Sequence, residues 1–302
     1  MVEGILVEGL IYGILALGVF VSFRVLDFPD LTVEGSFPAG AAAGAVIAQA
    51  VSLSPNGLVK ALAVPAGMLA GFLAGGAAGF ITATVHHRLK VPPLLAGIVT
   101  MTGLYSINLR ILGGKPNLPL IMNNPMLTLA RSFMGGLLSP EWSLLASCIL
   151  ICLLLFGILD LFFHTEIGIA MGALGDNESA VIQAGIQPNR LRTWGIMLAN
   201  ALPGLSGAMA AAYQGFADVN LGQGVVASGL ATVMLGELIV HSQFIGVQLV
   251  RVFLGSIIFR ALMYAARSWG YVAGITPNDL RLLTALLIVA SVAISRYGRK
   301  HR

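Results

Sequence analysis

Nine stretches of about twenty mostly apolar residues follow one another along the chain, and each is long enough to cross the hydrocarbon core of a bilayer as a helix. The stretches are too long, and lack the alternation, for strands of a transmembrane barrel. The sequence therefore predicts an all-α polytopic membrane protein with about nine transmembrane helices. Their expected bounds are Gly4–Phe23, Leu31–Ser52, Leu58–His86, Pro92–Leu112, Trp142–Phe163, Leu191–Tyr213, Gly224–Val240, Phe244–Arg267 and Leu280–Ser295.

Charged residues are scarce in this sequence. Only 10% of the 302 residues are Asp, Glu, Lys or Arg, whereas about 25% is usual in a soluble domain. So few charges cannot cover a water-soluble body of this size, which excludes a soluble enzyme, a disordered chain and a nucleic-acid-binding protein. No linker interrupts the chain, so we expect residues 1–302 to form a single transmembrane domain in contact with lipid.

The distribution of Lys and Arg gives the expected orientation, because these residues are enriched in cytoplasmic loops. If the C-terminus is cytoplasmic, nine Lys and Arg residues lie inside and six lie outside. We therefore expect a cytoplasmic C-terminus and an N-terminus on the outer side. Residues 164–190 then form a cytoplasmic loop.

The second apolar stretch begins in an unusual way, because two prolines, two acidic residues and two glycines occur between Phe28 and Gly40. Proline interrupts a helix, and Asp30 is a good N-cap for a restarted helix, with Thr32 a weaker candidate. Non-helical backbone at membrane depth survives only where it is buried in protein or lines a watery cavity. The segment is either a cytoplasmic turn before a capped helix or a break that lines a translocation pathway. Whether residues 31–52 cross the bilayer fully or form a broken or re-entrant helix stays open.

A similar pattern occurs late in the chain, since Phe216–Leu221 repeats the Phe-x-Asp-[Leu/Val]-[Thr/Asn]-[Val/Leu] order of Phe28–Val33. In the expected topology the two copies enter their helices from opposite sides. Paired interrupted helices of this kind indicate an inverted repeat around a transport pathway, although two helix starts can also resemble each other by chance. From polarity and position, the candidate pathway residues are Asp30, Thr32, Glu34, Ser36, Asn220 and Gln223.

Several charged residues fall inside or near the predicted spans. Arg251 and Arg260 are nine residues apart in one stretch, so they point to opposite helix faces. Both lie close enough to a helix end for their side chains to reach the interface, and we expect them to do so. Glu237 and His241 are one turn apart at an inner helix end, where a solvated i,i+4 pair is expected.

A ridge of small residues marks the third stretch. Gly67, Gly71, Gly75 and Gly79 recur every fourth residue, which lets another helix approach closely. The ridge predicts a tight helix contact, either within the bundle or between two copies of the chain.

No arrangement of residues for catalysis or nucleotide binding is present in the sequence. The segment Gly113–Pro116 lacks the spacing of a phosphate-binding loop, and Pro116 removes a backbone donor that such a loop needs. No set of His, Cys, Asp and Glu has the spacing of metal ligands. We therefore expect no enzymatic activity, no metal and no cofactor on this chain.

The loop at 164–190 contains a short helix, predicted for Asp176–Ile186. Asp176 is expected to cap it, Glu178 lies in its first turn, and Gly185 is expected to end it. An exposed helix with an apolar side needs a surface to bind. That surface belongs either to another protein or to the membrane domain of the same chain.

Three segments carry a resemblance to a known family. In chain order they are Asp30–Phe37, the run from Gly168 to Ala212 with Ala184–Ile186 and Leu202–Ala208, and Gly229–Glu237. In this order they resemble permease subunits of bacterial ABC importers in the branched-chain amino acid and ribose permease superfamily. Asp30–Phe37 is similar to a subgroup associated with tryptophan/tyrosine-type binding proteins. Glu237 departs from the pattern, because many members carry glycine there.

The resemblance implies a permease of the bacterial inner membrane that works as a homodimer. It would bind two ABC ATPase subunits, which hold ATP and Mg²⁺, and receive solute from an extracytoplasmic binding protein. The helix in the 164–190 loop would be the coupling helix, seated on the ATPase. The residues that this assigns to coupling are Gly175, Asp176, Asn177, Glu178, Ala184, Gly185 and Ile186.

The expected solute is an amino acid, with an aromatic one favoured by the subgroup. An ABC permease for a sugar or nucleoside is an alternative, and an ion-coupled secondary transporter is another. A heterodimer in place of a homodimer also stays open. The sequence does not identify the solute, since the binding protein would select it.

Overall fold

The computed structural model describes residues 2–120, 139–240 and 242–270 without interruption, together with several positions between 282 and 293. The ninth predicted span, Leu280–Ser295, falls outside this continuous part, and His241 lies outside the described residues. The described residues are mainly helical, which confirms the all-α prediction.

The chain forms eleven helices in the continuous part of the structure. They are α1 (Val2–Phe20, continued by a π-helical turn at Val21–Val25), α2 (Val33–Ser52), α3 (Gly57–Ala61), α4 (Ala63–Leu89), α5 (Pro93–Ile111), α6 (Pro140–Phe163), α7 (Glu166–Asp176), α8 (Glu178–Gln183), α9 (Pro188–Gln214), α10 (Val225–Ile239) and α11 (Ile245–Gly270). Two short strands, β1 (Asn117–Pro119) and β2 (Phe216–Asp218), pair antiparallel.

Six helices among the described residues are long and apolar enough to cross a membrane, namely α1 with its π-helical turn, α4, α5, α6, α9 and α11. The helix α10 has 15 residues. At about 1.5 Å per residue it is shorter than the roughly 30 Å hydrocarbon core. The predicted span Gly224–Val240 is therefore a shorter helix that follows an irregular segment, and the number of nine spans is not confirmed.

The helices α2, α4 and α9 pack together at the centre of the bundle. The glycine ridge of α4 forms this contact: a Cβ on Gly67 would lie 2.7 Å from the Gly44 carbonyl oxygen on α2. A Cβ on Gly71 would lie 2.7 Å from the Gly204 carbonyl oxygen on α9. The ridge is thus used within one chain, and its backbone-to-backbone contacts decide between the two alternatives left by the sequence.

The charged side chains in the spans have protein partners that the sequence did not predict. Arg251 is buried and its Nη2 donates to the Glu237 carboxylate at 3.4 Å. The predicted pair of Glu237 with His241 stays a prediction, because His241 lies outside the described residues. The Arg260 guanidinium lies 3.4 Å from the centroid of the Tyr12 ring and 3.7 Å from the Glu8 carboxylate. Because α11 packs against both α10 and α1, each arginine has a protein partner.

Candidate functional site

The first break in the helices is fixed by Asp30. After the π-helical turn the chain is irregular until α2 begins at Val33. The Asp30 Oδ1 atom accepts a hydrogen bond from the Thr32 N–H at 2.8 Å, and its Oδ2 atom accepts one from Asn200 Nδ2 on α9 at 2.6 Å. Asp30 therefore holds the turn before α2 and ties it to the middle of α9. The N-cap position of α2 belongs to Thr32, the weaker of the two predicted candidates, and the Thr32 side chain makes no capping bond.

Asn200 lies at the centre of a fully buried polar network. Its Oδ1 atom accepts from the Ser36 hydroxyl at 2.9 Å, and its Nδ2 atom donates to the Ile196 carbonyl at 3.1 Å as well as to Asp30. The hydroxyl oxygens of Thr32 and Thr82 lie 2.6 Å apart. Within this network three predicted pathway residues are satisfied by protein partners and have no exposed surface: Asp30, Thr32 and Ser36.

The second break repeats one hydrogen bond of the first. The Asp218 Oδ1 atom accepts a hydrogen bond from the Asn220 N–H at 2.7 Å, which matches the bond from Asp30 to Thr32. Asp218 ends β2, whose pairing with β1 holds it beside the end of α5. The repeated sequence pattern thus forms the same side-chain-to-backbone bond twice, although α2 begins directly after the first copy and α10 begins only at Val225.

Glu34 joins the two breaks. Its Oε1 atom accepts a hydrogen bond from the Gly224 N–H at 3.1 Å, directly before α10 begins. A carboxylate is favourable at a helix N-terminus, where backbone N–H groups lack partners. A residue in the first turn of α2 therefore caps the helix that follows the second break.

A cavity of about 150 Å³ lies where the two breaks meet. It contains three of the six predicted pathway residues, namely Glu34, Asn220 and Gln223. The sequence did not point to the side of the cavity that α5 supplies, where Thr102, Tyr105 and Asn108 lie. The complete lining is Glu34, Gly35, Pro38, Met101, Thr102, Tyr105, Asn108, Val219, Asn220 and Gln223.

The cavity opens on the surface of this single chain. Tyr105 is 48% exposed at its rim, and Thr102, Asn220 and Gln223 are also exposed. Polar groups beside a transmembrane helix are unfavourable against lipid and are usually found facing water or another protein surface. The geometry suits a surface that faces water or another protein better than a lipid contact.

A larger groove of about 640 Å³ lies elsewhere, between α4, α6, α7 and α9. Its walls are almost entirely apolar, with Phe72, Phe80 and Met171 among them and the Trp194 indole at one side. The groove therefore suits acyl chains better than a polar solute. Among the described residues, no three His, Cys, Asp or Glu side chains come together as a metal site would require.

The loop between α6 and α9 contains two helices, α7 and α8, where the sequence predicted one. The cap of α8 is Asn177, whose side chain accepts from the Ala180 N–H at 3.3 Å, and Asp176 is the last residue of α7. Asp176 was therefore the wrong cap, because α7 continues through it. Gly185 ends the segment as predicted, with φ of +79°.

The surface of this loop is partly apolar. Ile182 is 57% exposed on α8 and Ile186 is 39% exposed just after it, while Glu178 pairs with Arg192 on α9 at 3.0 Å. Gly175 sits directly against the backbone of Val25 at the end of α1. The loop thus exposes apolar side chains on its outer face. On its inner face it contacts the end of α1, next to the first break.

Known proteins resemble this chain over most of its length. A tyrosine transport system permease protein of Clostridioides difficile is 34% identical over 289 residues, which are 96% of this chain and 89% of that protein. An uncharacterized protein of Rickettsia prowazekii is 28% identical over 279 residues, covering 92% of each chain. A ribose import permease protein of Haemophilus influenzae is 28% identical over 196 residues, covering 64% of this chain and 56% of that one.

No solved structure matches the chain. The family of permease components of the branched-chain amino acid transport system matches residues 1–292. This match agrees with the helical spans and with the paired breaks that meet at a polar cavity. The chain belongs to that family and is a multi-pass membrane permease component of an ATP-binding-cassette transport system.

Proposed function

We propose that this permease imports an amino acid with an aromatic side chain. The similarity to a tyrosine transport system permease over 96% of the chain is the observation that carries the proposal. A binding protein on the outer side delivers the solute, and two ATPase subunits bind ATP and Mg²⁺ and drive its passage. The resemblance to a ribose import permease makes a sugar the second candidate solute.

The proposed pathway passes the cavity that contains Glu34, Asn220 and Gln223. Because this cavity opens on the surface of one chain, we propose that a second copy of the permease faces it and completes the pathway as a homodimer. Alternating access would then change the distance between the first break and the second. Glu34 is suited to this step, because it bonds across the two breaks.

The proposed orientation places the loop of α7 and α8 and the C-terminus in the cytoplasm of a bacterial cell, and the N-terminus on the outer side of the inner membrane. In this orientation α8 is the coupling helix. The exposed Ile182 and Ile186 supply the apolar side that would seat in a groove of the ATPase. The residues proposed for coupling keep Asn177 as the cap and Gly185 as the end of the helix.

The direct test is transport by the reconstituted complex. The permease, its ATPase and its binding protein are placed in proteoliposomes, and ATP-dependent uptake of labelled tyrosine is compared with uptake of labelled ribose. We expect tyrosine uptake that requires all three proteins. Uptake of ribose alone would support the second candidate solute, and tyrosine uptake without the ATPase would contradict the proposed importer.

The coupling assignment predicts the effect of two substitutions on α8 and just after it. Glu178→Arg places a positive charge beside Arg192, and Ala184→Asp places a charge on the proposed contact surface. We expect both variants to fold but to lose most ATP-driven uptake and most stimulation of the ATPase. Ala184→Ser, which adds only a small hydroxyl, is the matched control and should behave like the wild type. Normal uptake in both charged variants would contradict the assignment.

The pathway assignment predicts which positions aqueous thiol reagents can reach. Single cysteines are introduced into protein in which Cys148 and Cys152 are replaced by alanine. Cysteines at 34, 220 and 223 should react, because these positions line the open cavity. Cysteines at 30, 32 and 36 should be protected by complete burial. Equal reactivity of the two groups, measured by mass shift, would contradict the assignment.

A further inference from the structure

A cluster of one carboxylate and two guanidinium groups lies near the ends of α1 and α10. The Glu237 carboxylate accepts hydrogen bonds from Arg24 through one oxygen atom and from Arg251 through the other, the latter at 3.4 Å. The side chains of Glu237 and Arg251 are each 10% exposed, and that of Arg24 is 41% exposed. The cluster therefore links three helices, since Arg251 belongs to α11.

Arg24 belongs to a segment that also contacts the loop of α7 and α8. It lies in the π-helical turn Val21–Val25, a form of helix that is frequent at functional sites. A Cβ on Gly175 of α7 would lie 3.0 Å from the Val25 carbonyl carbon, and one on Gly195 of α9 would lie 2.6 Å from the Leu26 side chain. Residues 24–26 thus contact α7, α9 and the Glu237 cluster at once.

We propose that Arg24 and Glu237 transmit movement of the α7–α8 loop to α10 and α11, as positioning residues that do not bind the solute. The inference rests on the proposed function, in which an ATPase moves this loop. A displacement of α7 acts on the backbone of Val25 through Gly175. Because Arg24 is next to Val25, the displacement also moves Arg24, which is bonded to Glu237. Through Arg251 the displacement then reaches α11.

The chemistry of the cluster suits this role. Apolar contacts can slide with little loss of energy, whereas a charge-assisted hydrogen bond has a defined length and direction. The second break lies at the other end of α10, at Gly224. A movement imposed on Glu237 is therefore applied to the helix that Glu34 caps at the cavity.

The test measures the ratio of uptake to ATP hydrolysis in the reconstituted complex, with labelled tyrosine as the solute. Glu237→Gln removes one charge and keeps the side-chain shape, whereas Arg24→Gln removes one charge together with the guanidinium that reaches Glu237. We expect the number of tyrosine molecules imported per ATP hydrolysed to fall about fivefold or more, a typical size for coupling between two sites. Arg24→Lys, which keeps the charge, should retain most of the wild-type ratio.

Glu8→Gln is the matched control, since it removes a carboxylate from the pair with Arg260 away from the α7–α8 loop. It should leave the ratio unchanged. An unchanged ratio in both Glu237→Gln and Arg24→Gln, with uptake and hydrolysis equal to wild type or reduced together, would overturn the inference. Arg24→Gln keeps the test decisive if Glu237→Gln fails to fold, because Arg24 is the more exposed partner.

Failure of the proposed function would look different from failure of this inference. Wild-type complex that imports no tyrosine, or imports it without hydrolysing ATP, would contradict the proposed function. Wild-type complex that couples the two processes, together with variants that couple them equally well, would overturn only the role of the cluster.

Discussion

Replacing Gly75 by alanine is expected to prevent stable folding of this permease, whereas replacing the adjacent Gly76 by alanine should have little effect. A Cβ on Gly75 would collide with the Asn200 carbonyl oxygen and would lie 2.9 Å from the Gly204 Cα. Both atoms belong to the backbone of α9 and cannot move aside as a flexible side chain could. Overfilling a close contact costs about 1–3 kcal/mol or more, and here α4 would be forced away from α9.

Gly76 gives a closely matched control, because a Cβ there has only ordinary contacts, 3.7 Å from the Ala201 Cβ and 3.9 Å from the Met197 carbonyl oxygen. The two variants differ by one position and carry the same added methyl group. Thermal stability in detergent, followed by the amount of monodisperse protein after heating, distinguishes them. Equal melting of the two variants would show that α4 and α9 are not in this contact.

The second large effect is expected from Asn200→Ala. This change removes the donor to Asp30 and the acceptor for Ser36 together, at a site with no exposed surface. A buried polar group left without a partner costs about 1–3 kcal/mol, and a charged group costs more. We therefore expect a strong loss of thermal stability and of protein recovered from membranes.

Asp30→Ala should destabilise the protein to a similar degree, and the double variant should cost much less than the sum of the two single changes, because both remove the same bond. Thr84→Val is the control, since Thr84 is only half-buried and, among the described residues, its hydroxyl bonds to the Phe80 carbonyl of its own helix. Additive losses for Asp30 and Asn200 would contradict the network. A loss in Thr84→Val as large as that in Asn200→Ala would also contradict it.

Sequence signals gave correct predictions where the contacts concerned join residues that are close together in the chain. The bond from Asp30 to the backbone just before α2 was predictable because Asp30 and the Thr32 N–H are only two residues apart, although Thr32 and not Asp30 occupies the N-cap position. Gly185 was predictable because its positive φ follows from the chain ending a helix there. Asp176 misled the prediction because it also fits the end of the preceding helix, and only the position of α7 shows that Asn177 is the cap.

The predicted pathway residues fall into two groups, those that line the cavity and those that are fully buried. The sequence does not contain the information that separates the two groups. Asp30, Thr32 and Ser36 look as suitable as Glu34 by polarity and spacing, yet they point into the network around Asn200 and Thr82. A polar residue within an apolar stretch was the signal that could have indicated Asn200 and Asn108. Which of them lines a cavity and which is buried depends on the helix that packs against it.

The charged residues show the same dependence on how the helices pack together. Arg251 and Glu237 are fourteen positions apart on different helices, so no helical periodicity relates them. The sequence predicted opposite directions for Arg251 and Arg260 correctly, because that follows from the geometry of a single helix. It could not predict that α10 and α1 each place a carboxylate close to one of these two arginines.

The sequence alone determined that this chain crosses a membrane by helices, where those helices are interrupted, and that it resembles a transport permease. Hydrophobicity, proline and capping residues act within a few neighbours of each position, so the order of residues is enough to reveal their effect. Only the tertiary structure decided that the glycine ridge packs within one chain, that Glu34 joins the two breaks, and that Arg24, Glu237 and Arg251 meet. These contacts join residues far apart in the chain, and their formation depends on how whole helices pack together.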